Sequence, residues 1–276
     1  MRVVSVVSTK GGVGKTTVAA NLGGLLADAG LRVLLLDLDS QPTLSSYYAL
    51  SHKAVAGAYE LIVLNLTDPA QIISTTTVIG LDLILSNDDQ GRVSTLLLHA
   101  PDGRLRLRNL LDNFRPSYDL LLIDTQGARS VLLEMAVLAS DLVLSPVTPE
   151  MLAARELHRG TLKLLSELDP FRHLGIPPPP LRLLLNQVNA IRVDTRMIIR
   201  GLRETFAETT NISVLDTVVP DRVAYLNAAS LGLPVHRIET RQSSPSALKI
   251  MQSLAIELFP EWREAISTVS RCAEVR

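Results

Sequence analysis

The feature that most constrains the fold of this chain is a glycine-rich turn near its start. Residues 10–17 read Lys-Gly-Gly-Val-Gly-Lys-Thr-Thr and directly follow the apolar run Val3–Val7. The pattern fits the phosphate-binding loop G-x-x-x-x-G-K-[ST], except that Lys10 stands where the first glycine is usual. This motif requires a strand before it and a helix after it. The apolar run predicts that strand, and Val18–Ala29 predicts the helix, which Gly30 can cap.

The residue types in this loop predict binding of a nucleotide. Backbone N–H groups cradle phosphate oxygens, Lys15 neutralises the β- and γ-phosphates, and Thr16 offers a hydroxyl ligand to Mg²⁺. The helix that follows adds the positive end of its dipole. Lys10 is a second cation that the ordinary loop lacks. The predicted nucleotide-binding residues of the loop are Gly11, Gly12, Val13, Gly14, Lys15, Thr16 and Thr17.

With these residues the chain resembles the ParA/MinD family of deviant-Walker ATPases. Residues 10–17 have that family's usual form of the loop, and Lys10 has the position of its signature lysine. The resemblance implies that Lys10 reaches across an ATP-dependent homodimer to the partner's nucleotide. It makes Lys10 and Lys15 candidate catalytic residues. The residues by themselves indicate only an extra cation near the phosphates.

Composition narrows the class of protein. The chain has 276 residues, of which 47% are apolar, so it can bury one large core, and we expect a single ATPase domain over residues 1–276. The formal net charge of −1 does not by itself call for nucleic acid as a partner. The single cysteine, Cys272, cannot form an intrachain disulfide, and neither a signal peptide nor a run of about 18 apolar residues is found. These features favour a cytoplasmic protein.

Strands alternate with helices along the chain, which predicts an α/β fold: a doubly wound, mostly parallel sheet flanked by helices on both faces. The strands predicted after the first are Arg32–Asp37, Leu81–Ser86, Leu120–Asp124, Leu142–Pro146, Leu181–Asn186 and Val214–Thr217. The clearest helical patterns after the first are Arg104–Phe114, Ser130–Ala139, Glu150–Leu168, Thr195–Glu208 and Ser246–Leu258. Glu150, the first residue of the predicted helix Glu150–Leu168, is interpreted as an ordinary capping residue of a helix N-terminus.

The second predicted strand ends in two acidic residues, Asp37 and Asp39. Their carboxylates point to one side of an extended chain, at the edge where an α/β sheet binds ligands. Taken alone, the segment is also compatible with a solvated turn. The resemblance implies that Asp39 activates the attacking water and that Asp37 supports the Mg²⁺ shell. Ser40 departs from the family, which usually has proline at this position.

The strand Leu120–Asp124 ends in an acid, as a Walker B strand does. Asp124 is therefore predicted to hold Mg²⁺, together with Thr16 and Asp37. The next residues, Thr125-Gln126-Gly127, depart from the family's Asp-x-Pro-Pro and spell the Asp-x-x-Gly switch of GTPases. Gly127 is predicted to present its N–H to the γ-phosphate, and Gln126 to orient water.

The GTPase alternative depends on the segment that would contact the base. GTPases usually recognise guanine with Asn-Lys-x-Asp, whereas residues 186–189 read Asn-Gln-Val-Asn, without the aspartate. Asn186 can bond adenine, and the ParA/MinD family has an adenine-contacting asparagine at this strand end. Pro220 matches the family segment that packs on the base. The sequence favours ATP and Mg²⁺ as cofactors.

Four arginines lie on one face of a predicted helix, spaced four, four and three residues apart: Arg192, Arg196, Arg200 and Arg203. The spacing is compatible with an ordinary solvated face, and also with a strip that binds the phosphates of double-stranded DNA without base specificity. The family's nonspecific DNA binding favours the strip, and Arg222 is a further candidate.

The resemblance implies a ParA-like partition ATPase of a plasmid, chromosome or mobile element. Such a protein dimerises with ATP, binds nonspecific DNA on the nucleoid, and releases it when a centromere-binding, ParB-like partner stimulates its weak hydrolysis. Two alternatives stay open: a MinD-like ATPase at a membrane or cell pole, and a nucleotide switch without DNA cargo. The balanced charge of residues 259–276 argues against the amphipathic membrane helix of the MinD branch.

Overall fold

The computed structural model describes residues 1–150, 153–189, 193–239 and 245–270. Its strands are β1 Arg2–Val6, β2 Val33–Asp37, β3 Leu50–His52, β4 Ser74–Thr76, β5 Leu81–Ile84, β6 Leu120–Asp124, β7 Leu142–Val147, β8 Leu181–Val188 and β9 Ile212–Pro220. Its helices are α1 Lys15–Asp28, α2 Ala58–Leu64, α3 Pro69–Ile72, α4 Arg92–His99, α5 Arg106–Leu110, α6 Val131–Ala139, α7 Ala153–Leu157, α8 Lys163–Glu167, α9 Val193–Phe206, α10 Val223–Leu231, α11 Val235–Ile238, α12 Ala247–Leu258 and α13 Arg263–Thr268.

Within the described ranges the strands form one nine-stranded sheet in the order β3-β4-β5-β2-β6-β1-β7-β8-β9. The ladders from β5 across to β9 are parallel, and only β4 runs antiparallel to its two neighbours. The predicted fold class is confirmed. The central position of β1 places the glycine-rich loop in the middle of the sheet's carboxyl edge, where open α/β sheets bind ligands.

Burial explains why the central strands were readable as continuous apolar runs. Every residue of β2 is buried. Leu35 packs in a core layer with α1 and α12, whereas Leu34 and Leu36 face the opposite layer with α4 and α6. A third cluster lies between β7, β8 and α9. Each fully buried leucine contributes about 1.5–3 kcal/mol, so both faces of the sheet are strongly stabilised.

Two glycines fix the position of α1. Gly14 precedes the helix at a φ of +85°, and a Cβ there would lie 2.5 Å from Nδ2 of Asn186. Gly23 lets the same helix lie directly on β2, since a Cβ would lie 2.9 Å from a methyl group of Leu35. Gly14 and Gly23 therefore let α1 lie close to the end of β8 and to β2, whereas Gly11 and Gly12 of the loop have open space at their Cβ positions.

The sequence patterns missed some elements and merged others. The strands β3 and β4 are three residues each and largely polar, so they lack the apolar run of a buried strand. The predicted helix Arg104–Phe114 is α5 flanked by two short 3₁₀ turns. The predicted helix Glu150–Leu168 runs partly outside the described residues and then divides into α7, a π-helical turn over His158–Leu162, and α8.

The short helix α11 is tied to the end of α1 through Asp28. His236 lies 2.6 Å from one carboxylate oxygen through Nε2, and Arg237 donates to both oxygens. Burial would raise the pKa of Asp28, but hydrogen bonds from His236 and Arg237 outweigh it and hold the pKa below its ordinary value. This cluster fastens the chain between α10 and α12 to the helix that follows the loop.

Replacing Asp28 by asparagine should lower the free energy of unfolding by about 2 kcal/mol near neutral pH, because two donors lose a charged acceptor. The folded-state pKa is depressed, so this stability is present above the ordinary value of 3.8 and is lost as pH falls through the folded pKa. The free energy of unfolding of wild type and of D28N can be measured with urea near neutral pH and at about pH 3. The difference between the two proteins should be smaller at about pH 3. The control D112N removes an exposed pair with Arg115 and should change stability by under about 0.5 kcal/mol. A gap that does not vary with pH would contradict the role of the charge.

Candidate nucleotide site

A cleft of about 530 Å³ opens over the glycine-rich loop. It is lined by segments that are far apart in sequence: the loop itself, the turn after β2, the turn after β6, and Gln187 at the end of β8. Lys15, Thr16, Asp39 and Gly127, four of the residues predicted to act on the nucleotide, all line this cleft. This size is typical of a small-molecule site.

The loop is braced from the end of β8. Asn186 donates through Nδ2 to the carbonyl oxygen of Val13 at 2.7 Å, and Gln187 donates through Nε2 to that of Gly12 at 3.1 Å. Gln187 has a φ of +56°, which is uncommon for a residue with a side chain. No sequence motif pointed to Gln187, because its backbone conformation and its partner are decided by the tertiary fold.

Lys15 is a buried cation beside two acids. Only 7% of the residue is exposed. Burial lowers the pKa of Lys15, and the charges of Asp124 and Asp39 oppose that shift. The ideal Cβ position of Gly127 lies 3.3 Å from Nζ of Lys15, which places the turn after β6 against the lysine. A polyanion entering the cleft would therefore meet a preformed, desolvated positive charge.

Asp124 and Thr16 fit a divalent cation. Asp124 is fully buried; one carboxylate oxygen accepts from the N–H of Thr125 at 3.1 Å, and the side chain is also hydrogen-bonded to Thr16. The other oxygen, Oδ2, is buried without a hydrogen-bond partner among the described residues. Burial raises the pKa of Asp124 to about 7. Carboxylate and hydroxyl oxygens are ligands that Mg²⁺ takes, so a bound cation would satisfy the orphaned oxygen.

Asp37 lies opposite Asp124 on the neighbouring strand, and its carboxylate is hydrogen-bonded within the chain. Its Oδ1 accepts from the N–H of Asp39 at 3.0 Å, and its Oδ2 accepts from the N–H and the hydroxyl of Ser45 at 2.8 and 2.7 Å. Burial raises the pKa of Asp37 to about 6. Because both oxygens are engaged inside the chain, Asp37 shapes the turn after β2 and so aims Asp39 at the cleft.

A second pocket of about 250 Å³ adjoins the cleft and shares Gly14, Thr17 and Gln187 with it. Asn186 and Pro220, the two residues predicted to meet the base, both line this pocket. The rest of its lining is mainly apolar and includes Val219, Tyr225, Leu226 and Met251. A flat apolar base with polar edges fits such a space.

Lys10 does not belong to the described lining of the cleft. Its ammonium group lies 2.7 Å from Glu150 and 3.0 Å from Glu156 of the same chain. Hydrogen bonds to these two carboxylates hold the pKa of Lys10 above its ordinary value. Glu150, interpreted from sequence as a capping residue, therefore has a specific partner on the loop.

The predicted arginine strip is present only in part. Arg192 lies outside the described residues. Arg196 and Arg200 are exposed on α9, Arg200 pairs with Glu204 at 2.7 Å, and Arg203 donates to the carbonyl oxygen of Asp216 at 3.3 Å. Such exposed pairs are weak and leave the guanidinium groups accessible.

The expectation for Arg222 needs correction. Its side chain is 20% exposed, pairs with Glu239 at 3.2 Å and donates to the carbonyl oxygen of Pro245 at 2.9 Å. It lines the second pocket rather than lying with the arginines of α9. Its positive charge is used to hold the wall of that pocket.

The apolar residues near the end of the chain are used for internal packing. Phe259 and Ile266 are buried, and Gln252 of α12 donates to the carbonyl oxygens of Ile266 and Val269. In the part of the chain that the structure describes, none of the helices has the length and apolar character needed to cross a bilayer.

Comparison with known proteins identifies the family of this chain. A family model described as "AAA domain" (AAA_31) matches residues 1–172. The sporulation initiation inhibitor protein Soj of Bacillus subtilis is 30% identical over 236 residues, which are 85% of this chain and 90% of Soj. This chain belongs to the ParA/MinD family of P-loop ATPases. The chromosome partitioning protein ParA of Caulobacter vibrioides is also 30% identical to this chain, and the aligned region covers 85% of this chain and 86% of ParA.

Solved structures share the fold of this ParA/MinD-family protein. A Cyanothece McdA variant in complex with ATP superposes with a TM-score of 0.77 at 20% identity, covering 99% of each chain. Cobyrinic acid a,c-diamide synthase of Mycobacterium smegmatis, with a bound ATP analogue and magnesium, has a TM-score of 0.67 at 25% identity and covers 84% of this chain and 93% of its own.

Replacing Asn186 by alanine should weaken nucleotide binding roughly tenfold, because the carbonyl of Val13 loses its donor and the loop loses its brace. Calorimetry with ATP and with GTP separates two roles of this side chain. An equal loss for both nucleotides would identify loop bracing alone, and a larger loss for ATP would add a contact to adenine. Q187A, which removes a longer and more exposed bond to Gly12, is the matched control and should cost less. Unchanged binding of both nucleotides to N186A would contradict the bracing role.

Proposed function

We propose that this protein is an ATP hydrolase of a DNA-partition system, which dimerises with ATP, binds double-stranded DNA nonspecifically in that state and releases it after hydrolysis. The observation that carries the proposal is the convergence of Lys15, Thr16, Asp39 and Gly127 on one cleft, with the buried Asp124 next to them. These groups supply phosphate binding, a base near the terminal phosphate and a cation site.

The hydrogen bonding of Asn186 supports adenine as the base of the bound nucleotide. One N–H of its Nδ2 atom is engaged with the carbonyl of Val13, which leaves the other N–H as a donor and the carbonyl oxygen Oδ1 as an acceptor for the ring nitrogen and the amine of adenine. An acceptor suits the exocyclic amine of adenine and opposes the carbonyl at the same position of guanine. Pro220 and Tyr225 offer apolar surface to the ring.

The residues of this chain divide the hydrolysis between them. Lys15 neutralises the charge that develops on the phosphates, and the N–H of Gly127 donates to the γ-phosphate. Asp39, aimed by Asp37, orients the attacking water and accepts its proton. Thr16 and Asp124 would hold Mg²⁺, which supplies further neutralisation of the phosphate charge when bound.

DNA binding is assigned to the exposed arginines of α9, Arg196 and Arg200, with Arg203 beside them. Phosphate contacts need positive charge and carry no base code, so a protein of net charge −1 can bind DNA through one basic face. A two-fold dimer would present two such faces. The names of the relatives, chromosome partitioning protein ParA among them, support a partition role. The proposal places that role in the cytoplasm and on the nucleoid, with a ParB-like, centromere-binding stimulator, as the resemblance of residues 10–17 to the family implies.

The packing of Phe259 and Ile266 in the interior supports DNA over the membrane surface of a MinD-like protein, because α13, the last helix within the described residues, has its apolar side occupied. A switch without cargo remains distinguishable by experiment. It would bind ATP and dimerise without acquiring affinity for DNA or liposomes in the same buffer.

Replacing Asp39 by alanine should leave ATP binding intact, lower hydrolysis by at least about a hundredfold and accumulate the ATP-bound dimer, since the phosphate cradle is unchanged. Phosphate release and light scattering with ATP measure the two effects. K15A is the companion variant and should abolish ATP binding in calorimetry. A D39A protein that hydrolyses ATP at the wild-type rate would remove Asp39 from the reaction.

Replacing Arg196 and Arg200 by glutamate should abolish ATP-dependent DNA binding on all sequences equally, while hydrolysis without DNA persists. Each lost phosphate contact reduces the slope of log affinity against log salt by roughly 0.9. The control R115E/R172E reverses two exposed arginines elsewhere and should retain binding. Retained DNA affinity in R196E/R200E would move the DNA surface away from α9.

A further inference from the structure

A serine side chain continues the connection between β2 and β5 beyond the point where their backbone pairing ends. The two strands pair in parallel as far as Leu36 and Ile84. Three residues after Leu36, Asp39 lies in the turn that lines the nucleotide cleft. Its carbonyl oxygen accepts a hydrogen bond at 2.6 Å from the hydroxyl of Ser86, which lies two residues after Ile84. The candidate base is therefore tied through its backbone to the end of a neighbouring strand.

A second serine orients the first. The hydroxyl oxygen of Ser45 accepts from the N–H of Ser86 at 2.8 Å, and the same hydroxyl donates to Oδ2 of Asp37 at 2.7 Å. An ionised carboxylate and a carbonyl oxygen can only accept, so each of the two hydroxyl protons has one defined direction. Ser45 and Ser86 thus form a continuous set of hydrogen bonds from the carboxylate of Asp37 to the carbonyl of Asp39, and chains of this kind strengthen one another.

The segment that carries Ser86 is itself held by α2. The carbonyl oxygen of Leu85 accepts from the N–H of Ala58 at 2.8 Å. A Cβ at Gly57 would lie 2.4 Å from that carbonyl oxygen, so the start of the helix approaches the segment closely only because this residue is glycine. The side chain of Asn87 accepts from a further backbone N–H of α2 at 2.8 Å. The hydroxyl of Ser86 is therefore presented from a fixed support.

The hydrogen bonds around Asp39 leave one carboxylate oxygen for a water. The N–H of Asp39 donates to Oδ1 of Asp37, and its own Oδ1 accepts from the N–H of Gln41, each at 3.0 Å. Among the described residues no hydrogen bond engages Oδ2, which is the oxygen available to a water in the cleft. A general base acts only within hydrogen-bond reach of the proton it accepts, and an error of 1 Å can cost about a hundredfold in rate.

We propose that Ser86, oriented by Ser45, is a positioning residue for hydrolysis, which fixes the turn after β2 so that Oδ2 of Asp39 reaches the attacking water. This inference rests on the proposed ATP hydrolysis with Asp39 as the base. Ser86 is not among the described residues that line the cleft; it lines a neighbouring pocket of about 180 Å³. It therefore acts through Asp39, and its loss should slow the chemical step without weakening the binding of ATP.

Replacing Ser86 by alanine should lower the rate of hydrolysis roughly tenfold and leave the dissociation constant of ATP unchanged, because the hydroxyl holds Asp39 and does not meet the nucleotide. Single-turnover phosphate release measures the rate, and calorimetry measures ATP binding and reports that the fold is intact. S86T keeps the hydroxyl and has the neighbouring pocket for its methyl group, so it should stay within about twofold of the wild-type rate.

S46A is the matched control. It removes a hydroxyl of the same turn that donates to the carbonyl oxygen of Pro42 at 2.7 Å, and it should leave both quantities unchanged. An S86A protein that hydrolyses ATP at the wild-type rate would overturn the inference. An S86T protein as slow as S86A would also overturn it, since the hydroxyl would then not be the group that matters.

A double-mutant cycle tests whether Ser86 acts through Asp39. Residues that act as a unit are not additive, so S86A should have no further effect on the residual hydrolysis of a D39A protein. Release of labelled phosphate from radioactive ATP is sensitive enough to measure that residual rate. A general structural role, such as support of the phosphate loop, would instead lower the D39A rate by the same factor as the wild-type rate. That result would overturn the inference.

The same variants keep this inference apart from the proposed function. A wild-type protein without ATP hydrolysis, or a D39A protein that hydrolyses ATP at the wild-type rate, would overturn the proposed reaction and the positioning role together. Loss of hydrolysis in D39A combined with a wild-type rate in S86A would overturn the inference alone and leave the proposed function standing.

Discussion

The site depends on one hydrogen bond between distant parts of the chain, from Nδ2 of Asn186 to the carbonyl oxygen of Val13. A glycine-rich loop has many accessible conformations, and its entropy must be offset before its N–H groups can point at a phosphate. The bond from β8, with the weaker one from Gln187, restricts those conformations before ligand arrives. It also connects the phosphate loop to the pocket assigned to the base, because the side chain of Asn186 that holds the loop also lines that pocket.

Buried charged side chains surround this loop, and one of them has an oxygen that a bound cation would satisfy. The opposite charges of Lys15 and Asp124 interact in the interior, and one oxygen of Asp124 has no hydrogen-bond partner among the described residues. Asp37 is as deeply buried but is satisfied by Ser45 and by the backbone of Asp39. Two carboxylates at equivalent ends of neighbouring strands thus have different tasks, and the hydrogen bonds around each decide which is available to a cation.

The same loop carries two lysines whose side chains lie in different surroundings. Lys15 faces the cleft, whereas Lys10 is retained by Glu150 and Glu156 behind it. The π-helical turn after α7 packs the backbone of Gly160 against Thr9, the residue before Lys10.

The sequence alone determined the phosphate loop, the alternation of buried strands and helices, and the acids at the ends of β2 and β6. These features are local: apolar runs and glycine spacing follow from the chemistry of short segments. It did not determine the brace from Gln187, the satisfied state of Asp37, the retention of Lys10 or the internal pairing of Arg222. Each depends on side chains brought together from distant segments, and only the packing of the sheet and its helices decides which donors meet which acceptors.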